Sequence, residues 1–155
     1  MLSEGLKAPE FNLPNQNDEL ISSASLQGSP FVIFFYPRDN TSGCTQENID
    51  FNEMQADFKA LGITLLGVSR DSIKSHDKFA TKLALTFSLL ADTDEVMCKD
   101  YGVLVEKSMY GRKYMGIERA TFLVDSKGEI VKVWRKVKVS GHVEAVLETA
   151  KNLLV

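Results

Sequence analysis

Among the residues of this chain that could do chemistry, Cys44 has the most telling setting. It lies in Tyr36-Pro37-Arg38-Asp39-Asn40-Thr41-Ser42-Gly43-Cys44-Thr45-Gln46-Glu47, which runs from the end of an apolar stretch into the first turn of an expected helix. In open α/β sheets that is where ligands bind. Free backbone N–H groups and the positive end of the macrodipole at a helix start stabilise an anion, so a thiol there is drawn toward its reactive form, the thiolate. The competing assignment is a small buried hydrophobe, as free cysteines commonly are. The Pro, Asp, Asn, Ser and Gly of the loop count against it. The second cysteine, Cys98, completes the set of 2. That is too few for a disulfide-stapled secreted domain or a four-ligand zinc site, so reduced thiols are expected. The histidines, His76 and His142, are not spaced as ligands of one metal, and both are expected at the partly solvated surface.

Several elements must position Cys44. Phe31-Val32-Ile33-Phe34-Phe35-Tyr36 is apolar on both faces, as a central parallel strand covered on each side would be, and Ile63 to Val68 is a second such strand. Between them Phe51, Met54, Phe58 and Leu61 fall at helical spacing, and Gly62 stands where a helix stops. Ser72 caps a helix carrying Ile73, Phe79 and Leu83, which leads to a strand near Phe87 to Leu90 and a short helix around Glu95 to Tyr101. Upstream, Phe11-Asn12-Leu13 and Glu19-Leu20-Ile21 flank a turn-rich segment and read as a small hairpin. Downstream, Ala120 to Val124 and Glu129 to Trp134 flank Asp125-Ser126-Lys127-Gly128, a second hairpin signal. Val103 to Glu118 shows no clear period. The last helix carries Val143, Val146, Leu147, Ala150, Leu153 and Leu154 as an apolar stripe. The order predicts a three-layer α/β/α sandwich with a central mixed sheet and an N-terminal hairpin, formed by residues 1–155 as one domain.

Composition narrows the function classes. With 155 residues, 44% hydrophobic and 25% charged, the chain has ordinary globular content and enough apolar surface for a core. The net charge of −3, with no Lys/Arg block, argues against nucleic acid or an anionic membrane as the main partner. No apolar run approaches the roughly 18 residues of a membrane helix, and Met1 to Lys7 does not read as a secretory signal. A cytoplasmic protein is the expectation. Lys132, Arg135, Lys136 and Lys138 read as a solvated basic cluster on an edge strand, and Trp134 as core packing or a rim aromatic.

Pro37, Thr41 and Cys44 match P-x-x-x-T-x-x-C. With Glu47 and Gly116-Ile117-Glu118-Arg119-Ala120-Thr121-Phe122-Leu123, the chain resembles the peroxiredoxins, in the bacterioferritin comigratory protein (PrxQ) branch. The similarity runs from Ala8-Pro9-Glu10-Phe11 to the terminal helix. It implies a thioredoxin-like fold and reduction of hydrogen peroxide and organic hydroperoxides, with no cofactor and no metal. Thioredoxin, glutaredoxin or a small thiol would be the reductant, and the protein a monomer. On this resemblance Cys44 attacks the terminal peroxide oxygen and becomes Cys–SOH. The Thr41 hydroxyl bonds the thiolate or a peroxide oxygen. Pro37, with no N–H to offer, packs over the cysteine; without the resemblance it is equally well a strand terminator. Arg119 stabilises the thiolate and the charge developing along the breaking O–O bond. Glu47 orients that guanidinium, or is simply a favourable acid in a helix's first turn.

The departures concern resolution. Many members of the branch carry a second, resolving cysteine five residues after the first, where this chain has Ile49. Others carry it on the following helix, and Ser72 to Leu83 contains none. Cys98 matches neither position and is either a structural buried thiol or an atypical resolver, so a one-cysteine cycle completed by an external thiol is the leading expectation. Two other functions compete. Thioredoxin-like exchange usually needs C-x-x-C, and Cys44 is followed instead by Thr45-Gln46-Glu47. A redox sensor or thiol-based holdase would use oxidation of Cys44 without turnover.

Overall fold

The computed structural model describes residues 2–154. The turn-rich N-terminal segment folds as the expected hairpin, β1 (Asn12–Pro14) against β2 (Leu20–Ser22). The uninterrupted apolar run forms β3 (Phe31–Phe35), buried at every position. Two helices follow, α1 (Ser42–Glu53) and α2 (Gln55–Ala60), then β4 (Thr64–Ser69), α3 (Ile73–Leu83), β5 (Ser88–Ala91) and the short α4 (Val96–Asp100). The C-terminal part comprises β6 (Leu104–Met109), β7 (Arg112–Ile117), β8 (Ala120–Val124), β9 (Ile130–Trp134) and α5 (His142–Leu154). The central sheet has the order β5-β4-β3-β8-β9. β3, β4 and β5 run parallel, whereas β8 is antiparallel to β3 and β9 to β8. A mixed sheet results. Among the described residues no helix is long and apolar enough to cross a membrane.

Alternation along the strands divides the core into two layers. Val32, Phe34 and Tyr36 face a cluster containing Cys44, Phe51, Phe58, Phe79 and Val146, contributed by α1, α2, α3 and α5. Phe31, Ile33 and Phe35 face the other way, into a cluster with Met97, Cys98, Tyr101 and Ile117. The two cysteines therefore lie on opposite faces of the sheet.

Several local expectations are corrected. The helix expected through Phe51 to Leu61 is interrupted at Met54, whose ψ of 8° is far from helical, although no Pro or Gly marks the break. Val103 to Glu118 is mostly a β6–β7 hairpin, turning at Tyr110 and Gly111 with φ of 53° and 77°. Two left-handed residues are what a two-residue turn with the right twist requires. Its outer part is exposed on both faces, so it shows no apolar alternation. Leu153 stands outside the buried stripe of α5 and is exposed, while Val143, Val146, Leu147 and Ala150 are buried. Neither histidine is at the surface. His76 is fully buried and His142 nearly so, because each continues the apolar stripe of its helix. Arg135 is not simply solvated: it lies over the Phe122 ring at 5.7 Å and pairs with Glu118 at 3.6 Å.

Close packing between the sheet and the α1 layer depends on Gly67 in β4. A Cβ there would lie 2.8 Å from Leu89 Cδ2 and 2.9 Å from Phe34 Cζ, both on fully buried side chains. Gly67→Ala should therefore destabilise the fold by about 1–3 kcal/mol, read as a fall of several degrees in Tm by calorimetry. An unchanged Tm would show that the Phe34 and Leu89 side chains move aside without cost.

Candidate active site

The carboxyl ends of the parallel strands set the place. The last ladder bond of β3 is Tyr36 N–H to Val68 O at 3.0 Å, and Pro37 then follows, half-buried and unable to continue the pairing. The chain turns through Arg38 to Thr41, with Asn40 left-handed at φ 66°, and enters α1 with Thr41 in the extended N-cap conformation. Cys44 thus falls in the first turn of α1 and is fully buried. Thr41 and Ser42 beside it are exposed and Gly43 is half-buried, so the approach to the sulfur is over this rim.

Arg119 reaches the same place from far along the sequence. It immediately precedes β8, whose Ala120 pairs with Phe35 of β3, so the antiparallel register puts residue 119 at the carboxyl end of β3. One guanidinium nitrogen, Nη2, donates to Cys44 Sγ at 3.4 Å. The other, Nη1, donates to Glu47 Oε1 at 2.7 Å. Gly43 makes room for this: a Cβ on it would stand 3.1 Å from Nη2. Glu47 is fully buried, and its second oxygen, Oε2, has no partner. Burial pushes its carboxyl up to about 7, overriding the lowering by Arg119. Behind the guanidinium, His142 Nε2 lies 2.8 Å from Thr121 Oγ1, and burial together with Arg119 holds its pKa down near 4, which keeps the ring neutral. Lys107 of β6 sends Nζ to Ile117 O at 2.6 Å, and burial and Arg119 lower its pKa.

Of the residues singled out by sequence, Cys44, Glu47 and Arg119 are in direct contact. Thr41 holds the N-cap, but its hydroxyl donates to Arg38 O at 2.9 Å and not to the sulfur. Pro37 sits at the mouth of the loop. Cys98 is elsewhere, in α4 in the opposite core layer, with its backbone N–H on Asp92 Oδ2 at 2.7 Å and its thiol pKa pushed well up by burial and by Asp92. Sequence reasoning missed the pairing of Asp39 with His76, a buried contact of 2.8 Å that ties the loop to α3. Their signals were the acid inside the loop and the histidine at the spacing of Ile73, Phe79 and Leu83.

Comparison with known proteins settles the family. The sequence profile of the AhpC/TSA family matches residues 5–133. The chain belongs to that family. Within it the relatives are peroxiredoxins of the Bcp type: the chain is 51% identical to peroxiredoxin Bcp of Xanthomonas campestris over 80% of its length and 78% of that protein's. It is 46% identical to a putative peroxiredoxin bcp of Coxiella burnetii over 92% and 95% of the two lengths. In three dimensions it is similar to the bacterioferritin comigratory protein of Xanthomonas campestris, described with respect to alkyl peroxide reduction. The TM-score is 0.93 at 41% identity, covering 99% of this chain and 100% of that one. PrxQ of Xylella fastidiosa gives 0.93 at 38% identity, covering 98% and 97%. The thioredoxin-like fold expected of a peroxiredoxin is therefore present.

The buried Glu47 of this peroxiredoxin gives a pH signature. Because its pKa is raised in the folded chain from an ordinary 4.5 to about 7, its contribution to stability is present in full below pH 4.5 and is lost as the pH rises to about 7. Glu47→Gln carries no such titration. Between about pH 5 and pH 8 the stability of wild type relative to Glu47→Gln should fall by on the order of 1 kcal/mol or more. Denaturant melts of both proteins across that range check it; parallel pH curves would show that Glu47 titrates as an ordinary carboxyl.

Proposed function

We propose that this peroxiredoxin is a thiol-dependent peroxidase in which Cys44 is the reacting group, acting on hydrogen peroxide and organic hydroperoxides. The observation that carries the reading is the single Arg119 guanidinium bonded at once to Cys44 Sγ and to the Glu47 carboxyl at a helix N-terminus. The Cys44 thiolate attacks the terminal peroxide oxygen; the O–O bond breaks, sulfur is oxidised to S–OH, and the leaving oxygen takes a proton to become water or an alcohol. Arg119 faces the sulfur with a fixed positive charge while negative charge spreads onto the departing oxygen. Glu47 holds the guanidinium in plane. Thr41, at the N-cap with its hydroxyl donating to Arg38 O, retains lone pairs for an incoming peroxide O–H. Pro37, half-buried where β3 ends, packs over the cysteine in this reading and, having no N–H, offers the sulfur no competing donor.

Resolution is assigned to a thiol from solution, thioredoxin, glutaredoxin or a small thiol. It condenses with Cys44–SOH to a mixed disulfide with loss of water, and a second thiol releases Cys44 and departs as the disulfide. Two features support this: Ile49 occupies one resolving position, and Cys98 lies across the sheet with its thiol kept protonated by burial. The reading is of a cytoplasmic monomer.

Cys44→Ser should abolish peroxide turnover, while Cys98→Ser leaves turnover with a small-thiol reductant nearly unchanged. Arg119→Lys, which loses the planar fork, should lower kcat/KM for peroxide by roughly tenfold or more with the fold retained. Mass spectrometry of the protein oxidised by one equivalent of peroxide should find Cys44–SOH; a Cys44–Cys98 disulfide instead would overturn the external-thiol assignment.

A further inference from the structure

The loop that carries the reacting cysteine is fastened from beneath by a polar network that the peroxidase chemistry does not itself use. Asp39, in the loop between β3 and α1, is buried, and its carboxylate has three side-chain partners. Tyr36 OH donates to Oδ1 at 2.7 Å, Ser75 Oγ donates to Oδ2 at 2.8 Å, and His76 Nδ1 lies 2.8 Å from the same Oδ2. The Asp39 backbone N–H donates to Asp71 Oδ2 at 2.9 Å, and Ser69 Oγ donates to that oxygen at 2.6 Å. His76 is fully buried and turns its other nitrogen, Nε2, to Leu90 O at 3.0 Å. A backbone carbonyl only accepts, so Nε2 carries a hydrogen, and the short contact on the other side of the ring holds a second one between Nδ1 and Asp39. Atoms of Asp39, Asp71 and His76 lie within 4.8 Å of one another, as in a cation site, but hydrogen bonds within the protein already occupy Nδ1 and both Asp39 oxygens.

The network joins the ends of β3, β4 and β5 and the first turn of α3 to one residue of the loop. Among the described residues nothing else in the loop is anchored this way: Arg38, Asn40, Thr41 and Ser42 are exposed, and the one other side-chain bond of the loop, from Thr41 to Arg38 O, stays within it. We propose that the Asp39–His76 pair is the positioning element of the Cys44 site, holding the loop and the first turn of α1 in the arrangement in which Cys44 is buried against Arg119. His76 touches neither the sulfur nor Arg119. It acts through Asp39 and the four residues of chain that separate Asp39 from Cys44. The proposal rests on the reading of Cys44 as the reacting thiol.

Because a buried polar group stripped of a partner is costly, removing His76 weakens the hold on Asp39, leaving Tyr36, Ser75 and Asp71 as its partners, and the loop gains an open state at the expense of the closed one. Two consequences have opposite signs. Misplacing Cys44 relative to Arg119 slows peroxide attack, and exposing Cys44 speeds its reaction with a bulky reagent that the closed site excludes. Cys98 supplies an internal reference, since it is buried on the other face of the sheet, away from the loop that carries Asp39.

The test uses reduced full-length protein, His76→Gln, and the milder Ser75→Ala, which removes one bond to Asp39. A bulky maleimide is added in excess, and labelling of Cys44 and of Cys98 is followed separately by peptide mass spectrometry. The second-order rate constant for oxidation by hydrogen peroxide is measured in parallel by rapid mixing. Expected for His76→Gln are Cys44 labelling about tenfold faster with Cys98 labelling unchanged, and peroxide oxidation about 10- to 100-fold slower. Ser75→Ala should move both in the same directions by less, and it decides the matter if His76→Gln does not fold. Labelling of both cysteines rising together in Ser75→Ala would mean global destabilisation and would overturn the proposal, as would wild-type labelling and peroxide rates in both variants. A Cys44→Ser protein that still turned over peroxide would instead sink the assignment of Cys44, whatever the labelling showed.

Discussion

Placing one guanidinium between a sulfur and a buried carboxyl is the demand around which this fold is arranged. The three groups are far apart in sequence, at residues 44, 47 and 119. A helix supplies the first two, since positions three apart share a face. The third has to come from another element whose end lies at the same edge of the sheet. Parallel strands present only their carboxyl ends there, each followed by a loop and a helix. A residue that begins a strand reaches that edge only if its strand runs the other way. The antiparallel β8 beside β3 does this, and the Phe35–Ala120 pairing fixes where Arg119 emerges. The antiparallel half of the mixed sheet thus brings Arg119 to the site.

Small residues and buried polar groups then set the fine placement. Gly43 lets the guanidinium lie against the first turn of α1, and Val137 N–H binds the Arg119 carbonyl at 3.0 Å, fixing the backbone behind it. The β6–β7 hairpin delivers the chain to Arg119. It is tied down at its base by Lys107 to Ile117 O and by Arg70 to Met115 O, at 2.6 and 3.0 Å. Its tip, with Tyr110 almost fully exposed, has no packing of its own. The bonds are concentrated where Arg119 leaves the hairpin, and the far end stands in solvent.

What the sequence disclosed follows the strength of the physical signal. β3 was legible because five consecutive apolar residues fit little besides a strand covered on both faces. α3 was legible because a capping serine precedes an apolar stripe. Cys44 and its helix start could be found from the loop composition, and Glu47 and Arg119 through the family resemblance. The β6–β7 hairpin was not legible: a solvent-exposed ribbon has no buried face to impose alternation, and its Tyr-Gly turn lacks the usual Asn-Gly or Asp-Gly pair. The buried histidines were misjudged by residue type alone. Their position on apolar stripes said otherwise, and a histidine on such a stripe needs partners for both ring nitrogens, which for His76 are Asp39 and the Leu90 carbonyl. Polar networks assembled from several elements are the least visible in sequence, since no period or motif records a contact between residues on different strands.

Burial of Glu47 also bears on how the guanidinium divides its charge. A carboxylate in water would stay ionised at neutral pH, and in a short ion pair it would neutralise Arg119 as seen from the sulfur. Taken out of water, the carboxyl titrates near 7, so near neutrality the ionised and protonated forms are both populated. In the protonated form Oε1 still accepts from Nη1 and keeps the guanidinium in plane, while the positive charge stays available, in the proposed mechanism, to the Cys44 sulfur and the departing oxygen. Orientation needs only the hydrogen bond, whereas stabilisation of developing charge needs the charge itself. A buried acid separates those two duties and an exposed one does not, which gives a physical reason for spending a fully buried carboxyl with an unpartnered oxygen at this position.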